Sequence, residues 1–200
     1  MNEDDIKNQQ FLEWVEFGSG LGNERRCFQY PNDKYKCIKV SRKNQSKQTH
    51  RELKYFNFLQ RMSVPFIHVP KFYGSVESRE YIGIVQEIIK DDDGSISKNL
   101  VDFILYDKVQ NDKRNIILYS LNELKCYLLK YNVIPCDLMM TNILIKKTND
   151  SYKAILIDGL GSSSFISLDN YIPFLGRRTI ERKWTRFLHN ELIPRLDDID

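Results

Sequence analysis

The chain is poor in cysteine, and its cysteines are not spaced as ligands. Cys27, Cys37, Cys126 and Cys136 form no C-x-x-C pair, so paired metal spacing is absent. They read as free thiols of a reducing compartment. No apolar run approaches the roughly 18 residues that a membrane span needs. The first ten residues, MNEDDIKNQQ, are polar and partly acidic, the opposite of a secretory signal. These absences predict a cytoplasmic location with no membrane span. Internal repeats and extended low-complexity segments are lacking too. Six prolines and nine glycines are too few for wholesale disorder. A net charge of +3 does not by itself point to nucleic acid. What is present is a 42% hydrophobic content in 200 residues, enough for one domain or for two small lobes around a shared cleft.

The stretch from Ile134 to Gly161, IPCDLMMTNILIKKTNDSYKAILIDGLG, concentrates the chemistry. Ile143–Ile145 and Ala154–Ile157 are short apolar runs, and Lys146 to Ser151 between them reads as a hairpin loop. Asp137, Asn142 and Asp158 stand at the hairpin's ends. One carboxylate could face an acceptor hydroxyl, while an amide and a second carboxylate could hold magnesium. That is the layout of a kinase catalytic loop and metal site. The alternative is an ordinary hairpin with a turn aspartate at each end.

Upstream, residues 1–10 read as a disordered tail. FLEWVEF (11–17), RRCFQY (25–30) and YKCIKV (35–40) read as strands of an antiparallel meander, with GSGLG (18–22) in the first turn. Gly18, Gly20 and Gly22 would let backbone N–H groups approach a phosphate, although many glycine turns bind nothing. Alternation sends Lys39 to the face opposite Ile38 and Val40, either as a solvated edge lysine or as a phosphate ligand. From about Gln48 to Arg61, Leu53, Phe56 and Leu59 recur at helical spacing, with Tyr55 and Phe58 widening the face. Glu52, early on this helix, could hold Lys39 against the α- and β-phosphates of ATP, or pair at the surface with Arg51 or a nearby lysine. KFYGSV (71–76) and YIGIVQEII (81–89) complete an expected five-stranded sheet. Backbone groups from Gln86 through Glu87 to Ile89 would meet adenine. KDDDGS follows as an acidic, solvated linker rather than a metal cluster. This places an N-lobe at 11–90 and a C-lobe at 91–200.

In the second lobe, Leu100–Leu105 is a short amphipathic piece. Asn115–Tyr131 carries Ile117, Leu121, Leu124 and Leu128 at helical spacing, broadened by Ile116, Leu118, Tyr127 and Leu129, which predicts a buried central helix. After Gly161, SSSF is an activation-type loop or a plain connector. RRTIERKWTRFLHNELI then reads as a helix with Ile180, Trp184, Phe187 and Leu188 on one side. Trp184, Phe187 and Leu188 are expected to close the lobe's core. Arg177, Arg178, Arg182, Lys183 and Arg186 make a basic face, solvated or open to an anionic partner. No motif supports a nucleic-acid binder.

The order GSGLG, CIKV, REL, linker, CDLMMTN and LIDG resembles the protein-kinase-like fold. Within it, RRCFQYPNDKYKCIKV, RELKYF, VPKFYGSVES, the stretch ending TNIL, IDGLGSSSFISL and RRTIERKWTRFL resemble the YrbL-type PhoP regulatory network family. The likeness runs from about Phe17 to Leu188. It implies a compact two-lobed α+β kinase-like domain in which Gly18, Gly20, Gly22, Lys39, Glu52 and Glu87 bind ATP. It makes Asp137 catalytic together with Lys39, and gives Mg²⁺ to Asn142 and Asp158. Several departures stand out. Asn23 replaces the third loop glycine, and Pro135 and Cys136 replace a His-Arg pair. Met139 stands where a lysine often lies, and Gly159 follows Asp158 directly. The chain after Gly159 is short for a peptide platform. These departures point to a small-molecule hydroxyl acceptor, or to a pseudokinase-like nucleotide-binding module without turnover.

Overall fold

The computed structural model describes Glu16 and residues 25–30, 33–107, 112–161 and 168–196. The chain is α+β and divides into two compact units, Met1–Ser63 with Pro70–Ile88, and Val64–Val69 with Ile89–Asp200. The segment between Ser63 and Pro70, expected to be a plain connector, thus belongs to the second unit.

The first unit holds strands β1 (Arg26–Gln29), β2 (Lys36–Arg42), β3 (Phe72–Glu77) and β4 (Tyr81–Glu87), with helix α1 (Lys47–Arg61). Among the described residues the antiparallel sheet has four strands, in the order β1-β2-β4-β3, not the five of a meander. The strand expected at 11–17 lies outside the described residues except for Glu16, which bridges Phe28 and grips Arg26 through both carboxylate oxygens. Alternation in β2 works as the sequence predicts. Ile38 and Val40 join Phe28 and Val85 in one apolar cluster, leaving Cys37, Lys39 and Ser41 for the opposite face. Ser41 meets Thr49 of α1 through a 2.6 Å hydroxyl pair. Helix α1 buries Tyr55, Phe56 and Leu59, and Phe56 stacks on Phe72 at 5.1 Å. It ends because Ser63 turns left-handed (φ 52°) and Pro65 follows.

The second unit carries β5 (Lys98–Asn99), β6 (Ile143–Lys147) and β7 (Tyr152–Leu156) as a separate three-stranded antiparallel sheet. Helices α2 (Leu100–Tyr106), α3 (Lys113–Tyr131), α4 (Leu168–Tyr171), α5 (Pro173–Phe187) and α6 (Ile193–Leu196) complete it. The hairpin loop is shorter than expected. Lys146 and Lys147 are strand residues opposite Lys153 and Tyr152. Partners outside the hairpin hold Lys147: its N–H donates to Asp91 at 2.9 Å and its ammonium meets Asp107 at 2.6 Å. Asp107 is buried, which pushes its pKa up, but Lys147 and Lys98 outweigh burial and hold it below the ordinary carboxylate value.

The three aspartates after Ile89 do not merely solvate a linker. Asp91 is buried and also accepts from Ser97 at 2.5 Å. Asp92 takes the Asn149 N–H at 3.0 Å. Asp93 closes its own turn on Ser95. Each carboxylate satisfies a different backbone or hydroxyl donor, and Asp91 and Asp92 staple this segment to the β6–β7 hairpin.

Helix α3 is one-sided rather than buried all round. Ile117, Ser120, Leu121, Leu124, Tyr127 and Leu128 are buried, while Leu118 and Tyr119 are exposed. Its C-terminus is capped by left-handed Asn132 (φ 53°), whose amide donates to Asp169 at 2.8 Å. A Cβ on Gly176 would overlap the Asn132 side chain, so a glycine is needed where α5 crosses this cap. Helix α5 begins at Pro173, four residues before the expected start, because proline is pre-organised for a first helical position. It buries Ile180, Trp184 and Phe187, while Leu188 is only half-buried. A π turn, Leu188–Leu192, leads into α6. Pro194 has no N–H to continue an α-helical ladder there.

The Val64–Val69 segment is tied to the second unit by polar bonds. Tyr127 donates its hydroxyl to the Pro65 carbonyl at 2.9 Å. The Leu156 N–H donates to the His68 carbonyl at 2.9 Å, and His68 Nδ1–H donates to Ala154 at 2.8 Å. Burial lowers the His68 pKa and Lys153 adds to this, against the Ala154 bond and Glu123. A depressed histidine pKa means that the unfolded chain binds the proton more readily. Stability from this site is therefore complete above the ordinary value of about 6.5 and is lost as pH falls below it. Denaturant midpoints measured from pH 7.5 to 5.5 should fall in the wild type and fall less in His68→Gln. Equal slopes would show that His68 is not held neutral.

Candidate active site

The site in the second unit is built by zipping two segments together. Residues 134–142 run antiparallel to residues 157–161. The Gly161 N–H donates to Ile134 at 2.9 Å, Cys136 and Asp137 both donate to the Gly159 carbonyl at 2.5 and 3.2 Å, and Ile157 donates to Asn142 at 2.8 Å. Pro135 bridges Leu160. Leu138 and Met140 are buried while Asp137, Met139 and Thr141 are exposed. This period-two pattern presents the Asp137 carboxylate outward from a loop anchored by its neighbours.

Gly159 makes the close approach possible. Its φ is +69°, and a Cβ there would overlap the Asp137 carbonyl. Asp158 accepts its own Gly159 N–H through Oδ1 at 2.6 Å, which fixes the carboxylate at the end of β7. Asn142 precedes β6, and its carbonyl accepts from Ile157, the residue before Asp158. Asn142 and Asp158 therefore come from the same end of one hairpin, both half-buried. A carboxylate and an amide oxygen are hard donors that suit magnesium. Among the described residues, no three His, Cys, Asp or Glu side chains cluster as a metal site.

Two contacts that sequence reasoning misses come from the C-terminal helices. Lys183 Nζ donates to the Cys136 carbonyl, and Glu191 accepts the Met140 N–H at 2.9 Å. Lys183 looked like one more cation on a basic face; only tertiary packing sets it apart. Arg177, Arg178, Arg182 and Arg186 are exposed.

In the first unit, Lys39 and Glu52 are both buried, at 9% and 2% exposure. The partner seen on Glu52 Oε2 is Arg25, 27 positions away, rather than Arg51. Its Oε1 is buried and has no hydrogen-bond partner among the described residues. Glu87 uses its N–H on Lys71 at 2.9 Å, and its carboxylate takes the Lys71 N–H at 3.1 Å. The Ile88 N–H donates to Tyr35 at 2.8 Å. Gly18, Gly20 and Gly22 lie outside the described residues. All four cysteines are free. A bond to Cys27 and burial push the Cys37 thiol well above the ordinary range. No described helix is long and apolar enough to cross a membrane.

The fold and site thus define an α+β protein whose outward-facing aspartate is locked to an Asp-Gly turn at the end of a hairpin. The chain belongs to the PhoP regulatory network protein YrbL family, whose profile matches residues 18–191. It is 30% identical over 173 residues to a YrbL protein of Escherichia coli (strain K12), covering 84% of this chain and 82% of that protein. The same figures hold for a YrbL protein of Shigella flexneri.

Proposed function

We propose that the protein is a kinase-like phosphotransferase that uses ATP and Mg²⁺ and acts on a hydroxyl acceptor, a small molecule rather than a protein. The observation that carries this reading is the zipped loop, which presents Asp137 outward while fixing Asp158 and Asn142 at the adjacent hairpin end. In this reading Asp137 orients the acceptor hydroxyl and takes its proton late in transfer. Asn142 and Asp158 would hold Mg²⁺, which when bound supplies neutralising charge for the phosphates. Lys39, with Glu52, would hold the nucleotide phosphates. The protein-kinase-like fold and the cytoplasmic location belong to the same proposal. The exposed arginines of α5 suit an anionic acceptor or partner.

A second reading is a nucleotide-binding regulatory module without turnover. It is favoured by exposed, uncharged Met139 beside Asp137. Both readings require nucleotide binding, and calorimetric titration of ATP with and without Mg²⁺ tests it. Wild type should bind in a metal-dependent way, and Asp158→Asn should lose that dependence because it removes a carboxylate from the ion. Equal behaviour of the two proteins would remove Asp158 from the metal site.

A further inference from the structure

Asp137 lies between two charged side chains that reach the loop from the C-terminal helices. One residue before it, Lys183 donates to the Cys136 carbonyl. Three residues after it, Glu191 accepts the Met140 N–H. Glu191 is itself steadied by Arg195, whose guanidinium donates to the Glu191 carbonyl at 3.0 Å and reaches the Met140 sulfur at 3.7 Å. The core does not need Lys183, since Ile180, Trp184 and Phe187 already bury the face of α5. A half-buried lysine on that helix costs desolvation, which its bond to the Cys136 carbonyl offsets.

We infer that Lys183 is a positioning residue for Asp137: it fixes the loop through the Cys136 carbonyl, one residue before the carboxylate. The inference rests on Asp137 being the acceptor-facing group. Met139, at the next outward position, carries no charge of its own. The charged and titratable groups acting on Lys183 are Cys136 and Asp137 on the loop, Asp169 on α4 and Arg182 on its own helix. Burial lowers the lysine's pKa and Arg182 adds to this, while Cys136, Asp137 and Asp169 oppose it.

The test uses the full chain, with Lys183→Met, Lys183→Arg and Asp137→Asn beside wild type. Lysine amines are followed by NMR after ¹³C-methylation, the Lys183 signal being the one lost in Lys183→Met. It should titrate below the ordinary lysine value of about 10.4, and lower again in Asp137→Asn, because a supporting negative charge is gone. In turnover with ATP·Mg²⁺, Lys183→Met should lose about 10–10²-fold in kcat with ATP affinity unchanged, and Lys183→Arg should recover part of it. A merely structural lysine would move neither the coupled titration nor the kcat-against-affinity split. A Lys183 signal at the ordinary position and indifferent to Asp137→Asn overturns the assignment, whatever the turnover. So does an unchanged kcat in Lys183→Met. Coupled titration in a wild type that never turns over supports the Lys183 assignment and overturns the phosphotransferase reading instead.

Discussion

Asp137→Asn should keep ATP·Mg²⁺ affinity close to wild type and lose turnover by about 10²–10⁴-fold, the usual worth of a positioned general base. The two effects separate because Asp137 is not one of the proposed metal ligands. Its side chain is exposed, and its backbone place is fixed by the Gly159 carbonyl. Replacing carboxylate by amide leaves those backbone bonds and the buried anchors Leu138 and Met140 intact, so the loop should not move. What disappears is the acceptor's proton partner. Paired calorimetry and steady-state kinetics on the same preparation check this. An unchanged turnover would place the chemistry elsewhere, and a parallel loss of affinity would make Asp137 part of the nucleotide site.

Gly159→Ala should be strongly destabilising in the second unit. Two terms add. A non-glycine residue at φ +69° costs roughly 1–2 kcal/mol of backbone strain. The new methyl would overlap the Asp137 carbonyl, and backbone cannot swing aside as a side chain can. Overpacking of this kind costs typically about 1–3 kcal/mol. The sum is roughly 2–5 kcal/mol, with the Cys136 and Asp137 bonds to Gly159 the first to break. Gly94 provides the control. Its φ is +86°, yet a Cβ there would meet nothing within 4 Å, so Gly94→Ala should show the strain alone. Urea denaturation of both variants separates the terms. Equal losses would mean that the loop and the Asp-Gly turn are not held in contact.

The parts of this fold that could be read in the sequence are those with a local period. Alternation in CIKV sends Lys39 away from the Ile38–Val40 cluster. Helical spacing finds α1 and α5 because their apolar stripes bury Phe56 and Leu59, and Trp184 and Phe187. Breadth misled in α3, where Leu118 and Tyr119 stay exposed, because apolar residues next to a stripe need not be buried. The start of α5 is marked by Pro173, a residue suited to a first helical position, ahead of the charged run. The sheet order β1-β2-β4-β3 follows from pairing between distant segments, which turn signals do not encode. Arg25 on Glu52, Asp91 on the Lys147 N–H, His68 on Ala154 and Lys183 on Cys136 lie 27 to 86 positions apart. Such contacts are set by packing and leave no local mark. The last of them braces the candidate site, so the sequence singles out Asp137 but not what holds its loop.

The most direct test of the central claim is ³¹P NMR of ATP and Mg²⁺ with the wild-type protein, followed over time. The account predicts perturbed β- and γ-phosphate signals on mixing and a slow loss of the γ-phosphate. In Asp137→Asn the perturbation should remain and the loss should stop. Unperturbed phosphate signals at millimolar nucleotide would contradict it.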